Sequence, residues 1–152
     1  MNLRHVCRAA LLAGNFLVRN QDASAEPLEA YRWKNRLIIA SVPSEEARNQ
    51  FAAALAANRA EIDERDLKVI DVSAKRTRIA GAIRLEPKQT SALRERLKLN
   101  AGGTAAVFIL IGKDGGEKAR WRGPLPLESW TALIDEMPMR REEILRQGKS
   151  PK

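Results

Sequence analysis

Two stretches of this 152-residue chain are apolar at consecutive positions: Leu37-Ile38-Ile39-Ala40-Ser41-Val42 and Val107-Phe108-Ile109-Leu110-Ile111. A strand with one wet face alternates, so these runs predict central strands covered on both sides. Pro43 ends the first, because proline has no N–H to give a ladder. Leu67-Lys68-Val69-Ile70-Asp71-Val72 is half polar and predicts a strand nearer the sheet edge. Glu117 to Arg122 alternates, with Ala119 and Trp121 one way and Lys118, Arg120 and Arg122 the other. That suits an outer strand whose charges discourage edge-to-edge association. Before it, Lys113-Asp114-Gly115-Gly116 supplies hairpin-turn chemistry, since glycine takes positive φ without a steric penalty. Glu26 to Arg36 reads as an extended lead-in that turns Tyr31 and Trp33 toward the core.

Helical spacing fills the gaps. Ser44 has N-cap chemistry, with Glu45 and Glu46 in the first turn, where carboxylates favour the positive end of a helix. Phe51, Leu55, Asn58 and Ile62 then share one face of a helix predicted to run to about Glu64. Pro87 opens a shorter helix with Leu93 and Leu97 facing in, and Asn100-Ala101-Gly102-Gly103 is expected to stop it. Leu127, Trp130, Ile134 and Met137 form the stripe of a last helix, ended by Pro138. Beyond it the chain is charged and is expected to start as a helical turn, and residues 147–152 are expected to form a disordered tail. The order β-α-β-α-β-β-α, a parallel pair followed by an antiparallel hairpin, predicts a thioredoxin-like α/β domain over residues 26–146. Its mixed sheet is expected to have four strands and helices on both faces.

Composition changes this picture in two places. Aromatic residues make up only 5% of the chain, so the core must be largely aliphatic. The net charge of +8 points to anionic neighbours or to a solvated basic surface. The first 25 residues also read as an export leader. Arg4, His5 and Arg8 precede the apolar run Ala9 to Val18, and Ala23-Ser24-Ala25 offers small residues before a cleavage point. The run is too short to span a bilayer, and no stable membrane insertion is expected. Cleavage near Ala25 would place the protein in the periplasm or outside the cell. It would remove three arginines and one aspartate, lowering the charge to +6, along with His5 and Cys7, the sole histidine and the sole cysteine. A chain without thiols has no disulfide, no cysteine nucleophile and no thiolate metal site.

The remaining chemistry is sparse. Ser41 and Ser44 would need a base to act as nucleophiles, and none is placed beside them by the sequence, so no catalytic residue is assigned. Lys113-Asp114-Gly115-Gly116 joins two strands, whereas a phosphate-cradling loop leads into a helix. No cofactor and no metal is expected, because carboxylates lie at the spacing of solvated helix faces. The basic residues Arg32, Lys34, Lys75, Arg76, Arg78, Arg84, Lys118, Arg120 and Arg122 have no visible stacking platform or recognition motif, and nucleic acid is not expected as a partner.

Three phrases carry a resemblance. Tyr31-Arg32-Trp33-Lys34-Asn35-Arg36-Leu37, Leu110-Ile111-Gly112-Lys113-Asp114-Gly115-Gly116-Glu117-Lys118 and Ile134-Asp135-Glu136-Met137-Pro138-Met139-Arg140 resemble the P-DUDES domain. That family of unknown function occurs in exported bacterial proteins and in animal extracellular sushi-repeat proteins. The resemblance, over Leu28 to Arg146, implies the thioredoxin-like fold and supplies no established activity. A more remote likeness links that family to peroxiredoxins. Pro43-Ser44-Glu45 is similar to the residues that follow a peroxidatic cysteine, but Val42 stands at the cysteine position. Thioredoxin-like redox enzymes also carry a cis-proline before the third core strand, where this chain has Gly103-Thr104.

The sequence therefore predicts a binding module with a basic surface for an unidentified protein or anionic polymer. Its candidate binding residues are Arg32, Lys34, Lys113, Asp114, Lys118, Arg120 and Arg122. The alternative is a peroxiredoxin-like or thiol-disulfide family member that has lost or replaced its cysteine chemistry.

Overall fold

The computed structural model of the chain describes residues 26–73, 79–100 and 103–148. The leader-like segment with Cys7, the basic residues Lys75, Arg76 and Arg78, the pair Ala101-Gly102 and residues 149–152 of the tail lie outside the described residues.

Five strands form one mixed sheet in the order β3-β2-β1-β4-β5. β1 (Arg36–Ser41) is central, parallel to β2 (Leu67–Asp71) and antiparallel to β4 (Val107–Ile111). β5 (Glu117–Arg122) continues antiparallel from β4 as one edge. The other edge is a two-residue strand, β3 (Ile83–Arg84), parallel to β2. It is a fifth strand where the pattern predicted four, because a run of two residues is too short to show a period.

The consecutive apolar runs are explained by burial on both faces. Ile38, Ala40, Val42, Phe108 and Leu110 point to one side, where α1 (Glu45–Ala57), α2 (Arg59–Glu64) and α4 (Leu127–Asp135) pack. Leu37, Ile39, Ile109 and Ile111 point to the other, against α3 (Pro87–Arg96) and Leu28. The rings of Phe51 and Phe108, 4.8 Å apart and tilted by 54°, tie α1 to β4. Such a pair adds about 1 kcal/mol to the burial itself.

Several local expectations give way. The first helix breaks at Asn58, whose side-chain amide donates to the Ala54 carbonyl at 2.8 Å. Ile62 still reaches the core from the short helix that follows. The lead-in is not extended: Glu29–Tyr31 is a 3-10 turn. Tyr31 packs on the core, but Trp33 sits in the left-handed region at φ 63° with its side chain 60% exposed. After Pro138 the expected helical turn extends into a full helix, α5 (Pro138–Arg146), in which Pro138 takes the first-turn position that lacks an N–H partner in any helix.

Glycine does not stop α3. Lys98 N–H donates to the Glu95 carbonyl and Leu99 N–H to the Arg94 carbonyl, with Lys98 itself at φ 53°. This is the Schellman arrangement, with a lysine where glycine is usual.

Candidate functional site

β1 and β2 run the same way, so the sheet has distinct ends, and ionic groups gather differently at each. At the amino end of β1, Arg36 is fully buried and forks onto Glu143 of α5 at 3.1 and 3.3 Å. Lys113, just past β4, also reaches Glu143 at 2.7 Å and Asp66 at 2.8 Å. Arg140 and Arg65 share Asp135, and Arg140 reaches Glu64 as well. Four cations thus meet four carboxylates. Burial alone would raise the pKa values of Asp135 and Glu143, but Arg65 and Arg140 on the first, and Lys113 and Arg36 on the second, hold both below the ordinary carboxylate range. The three phrases that carry the P-DUDES resemblance meet in this knot, each contributing a buried cation: Arg36, Lys113 and Arg140. With its charges balanced, it ties α5 to the sheet and leaves little to offer a ligand.

The carboxyl end of β1 is built otherwise. In open α/β sheets this end is where ligands bind. The turn after β1 is pinned from below: Val42 N–H donates to Ser73 Oγ at 2.8 Å, and Ser73 N–H donates to Asp71 Oδ1 at 2.9 Å. Arg48 pairs with Asp71 at 3.0 Å and donates to the Val42 carbonyl at 3.3 Å. Val42 is 0% exposed, its side chain in the core. Ser44 accepts from Ala47 N–H at 3.2 Å as the N-cap of α1. The residue before Pro43 is therefore sealed hydrocarbon, and the hydroxyl of Ser44 is engaged in capping.

Ser41 points to the opposite face, toward α3. Its Oγ accepts from Arg94 at 3.3 Å. The Arg94 guanidinium also donates to the carbonyls of Val72 (2.6 Å), Asn100 (2.7 Å) and Leu99 (3.3 Å). All four acceptors are neutral, and no carboxylate among the described residues pairs with Arg94. In front of Ser41 opens a cleft of about 290 Å³, lined in part by Lys98, Asn100, Thr104, Arg120 and Arg122. Arg120 is neutralised by Glu117, which it grips with two bonds of 2.8 Å, and it also donates to the Leu97 carbonyl at 3.0 Å. That pairing lowers the pKa of Glu117 and raises that of Arg120. Lys98 and Arg122 make no ion pair with a described residue. The cleft is thus a positive concavity without a lining carboxylate among the described residues.

The candidate binding residues divide between the two ends. Lys113, expected on the surface, is only 8% exposed and belongs to the ionic knot, because the turn folds back against α5. Asp114 shapes the hairpin turn, accepting from Gly116 N–H at 3.1 Å and from Lys118 at 2.6 Å; the Lys118 bond holds its pKa down. Gly112 leaves room for this pair: a Cβ there would stand 2.5 Å from Lys118 Cε and push that side chain aside. Arg32 lies 5.3 Å from the Trp33 ring centroid and pairs with Glu29, and Lys34 is exposed beside the same turn. The first five candidates therefore gather around the hairpin turn, while Arg120 and Arg122 alone reach the cleft. Lys98 and Arg94 were not legible, because the glycines that follow concealed where α3 stops.

A larger groove, of about 370 Å³, runs between α1, α2 and the β2–β3 edge. It is mainly apolar, and the ion pair at its rim, Arg59 with Asp63, is closed at 2.7 Å. Among the described residues no group of three His, Cys, Asp or Glu side chains is placed to hold a metal, and no helix is long and apolar enough to cross a membrane.

Solved structures of similar shape include the reduced 2-Cys peroxiredoxin of Plasmodium vivax, with 15% identity and a TM-score of 0.56 over 76% of this chain and 72% of that one. Thioredoxin peroxidase I of Plasmodium yoelii has 18% identity and a TM-score of 0.55 over 76% and 79%. Peroxiredoxin Q of Xanthomonas campestris has 17% identity and a TM-score of 0.51 over 70% and 79%. At these identities the likeness is one of fold. The family model described as Domain of unknown function (DUF4174) matches residues 27–143.

Proposed function

The chain belongs to the DUF4174 family, here a thioredoxin-like domain with a peroxiredoxin-type fold, and we propose that it acts by binding an anionic partner rather than through thiol chemistry. One observation carries this reading. At the end of the sheet where open α/β folds bind ligands, the chain has a sealed Val42 and a cleft presenting Lys98 and Arg122 with no carboxylate among the described residues that line it. A concave site lined by one sign of charge focuses its field and raises the local concentration of the opposite charge. The single cysteine, Cys7, falls in the leader-like segment. Export to the periplasm or beyond, after cleavage near Ala25, is part of the proposal on the strength of that segment. So is kinship with the P-DUDES proteins, on the strength of the three phrases.

The test is retention on a column bearing carboxylate or sulfate groups, read against salt, with a peroxide-consumption assay alongside. The expected result is retention that falls steadily as salt rises, and no peroxide turnover with a dithiol reductant. Turnover above the uncatalysed rate, or passage through the column at low salt, overturns the proposal.

A further inference from the structure

β5 is a six-residue edge strand, and its two sides offer different chemistry. Gly123 N–H donates to the Ala106 carbonyl at 2.9 Å, which marks that pair as hydrogen-bonded. The ladder alternates, so Trp121 and Ala119 also turn their backbone groups inward to β4, and Arg120 and Arg122 turn theirs outward to the free edge. The side chains of Arg120 and Arg122 lie on the α3 face, at the basic cleft. On the opposite face Trp121 is 48% exposed. Its Nε1 stands 3.9 Å from where a Cβ on Gly123 would be, and Gly123 lines an apolar groove of about 250 Å³ with Phe51, Phe108 and Leu125.

A second copy is a poor occupant of this edge. Pairing two β5 strands about a twofold axis perpendicular to the sheet places residues of the same face opposite each other. Centred on Arg120, that sets Arg120 against Arg120 and Lys118 against Arg122, and like charges directly opposite are destabilising.

We infer that β5 accepts an extended acidic segment of a partner protein as an antiparallel sixth strand, with carboxylates at alternate residues facing Arg120 and Arg122 and apolar residues between them facing Trp121. The inference rests on the proposed reading of the basic cleft as the binding face, and it names the partner. Main-chain bonds along an exposed edge supply affinity, and alternate side chains supply specificity. In an antiparallel guest the residue opposite Arg120 or Arg122 exchanges backbone bonds with it, so the acidic residues of the guest are the ones whose N–H groups face β5.

That register gives a sharp test with the full chain and four probes. These are an alternating glutamate–valine hexapeptide, the same peptide N-methylated on its glutamates, the same N-methylated on its valines, and polyphosphate. The unmodified and the valine-methylated peptides should bind with similar Kd and slow hydrogen exchange at the Arg120 and Arg122 amides at least tenfold. Methylation on the glutamates should weaken binding at least tenfold. Equal binding of both methylated peptides, or binding without slowed exchange at those amides, overturns strand addition. If polyphosphate then binds and is displaced by salt, the basic cleft stands as a polyanion site and only the strand inference falls. If none of the four probes binds, both readings fall.

Discussion

The two ends of the sheet use the same residue types to opposite effect. At the amino end of β1, Arg36, Arg65, Lys113 and Arg140 are each matched by a carboxylate within hydrogen-bond distance. At the carboxyl end, Arg94 is held by neutral oxygens, and Lys98 and Arg122 face open space in a cleft. Basic composition alone would treat these arginines and lysines alike. Compensation distinguishes them: a buried, paired cation is a fastening, and an exposed, unpaired one in a concavity is available to a partner. Left-handed backbone occurs at both ends, at Asp66 in the knot (φ 49°) and at Lys98 (φ 53°) beside the cleft. Such a position costs a side-chain-bearing residue about 1 kcal/mol.

Removing a carboxylate from the knot should have the largest effect. Glu143→Ala strips Arg36 and Lys113 of a shared partner while both stay buried, and a loss of about 3 kcal/mol in urea unfolding is expected. A loss below about 0.5 kcal/mol would mean that the knot is ornament and that the contrast between the ends is overstated.

Acid should loosen the same end. The folded pKa values of Asp135 and Glu143 lie below their ordinary values of 3.8 and 4.5. Depressed carboxylates bind fewer protons when folded, so their contribution is fully present above about pH 4.5 and is lost as pH falls through the folded values. Urea midpoints measured from pH 6 to pH 3 should drop over the lower part of that range. Glu143→Gln should lower stability at pH 6 and flatten the acid slope; an unchanged slope would show that these groups are not the ones titrating.

Much of this architecture was legible beforehand. Consecutive apolar residues in β1 and β4 marked the buried strands, and the stripes of Phe51 with Leu55 and of Trp130 with Ile134 marked the two helices that cover one face. The ionic knot was half legible. Arg36 keeps strand parity with Ile38 and Ala40, so it had to point into a core, but its partner Glu143 lies 107 residues away. No local pattern pairs them. Lys113 misled because a Lys-Asp-Gly-Gly turn looks solvent-bound, and only the docking of α5 buries the lysine. Trp33 misled in the other direction, since its spacing from Tyr31 suggested a shared face that the 3-10 turn destroys. The cleft was the least legible feature, because it depends on α3 ending at Arg96, several residues before the glycines.

At the cleft the effects on stability are smaller and run the other way. Lys98→Gly relieves the left-handed strain and should stabilise the fold by about 1 kcal/mol while weakening retention on an anionic column. Lower stability, or unchanged retention, would remove the reason for regarding Lys98 as kept for its charge.

The proposed binding of an anionic partner depends on where the cations stand and not on net charge. Its most direct test compares two double charge reversals of equal magnitude by the salt needed to elute each protein from a carboxylate column. Lys98→Glu with Arg122→Glu alters the cleft, and Lys34→Glu with Arg141→Glu alters exposed sites outside it, beside the 3-10 turn and on α5. The cleft variant should elute at markedly lower salt than the other, with both proteins folded by circular dichroism. Elution of the two at the same salt would contradict the account, because retention would then follow net charge alone.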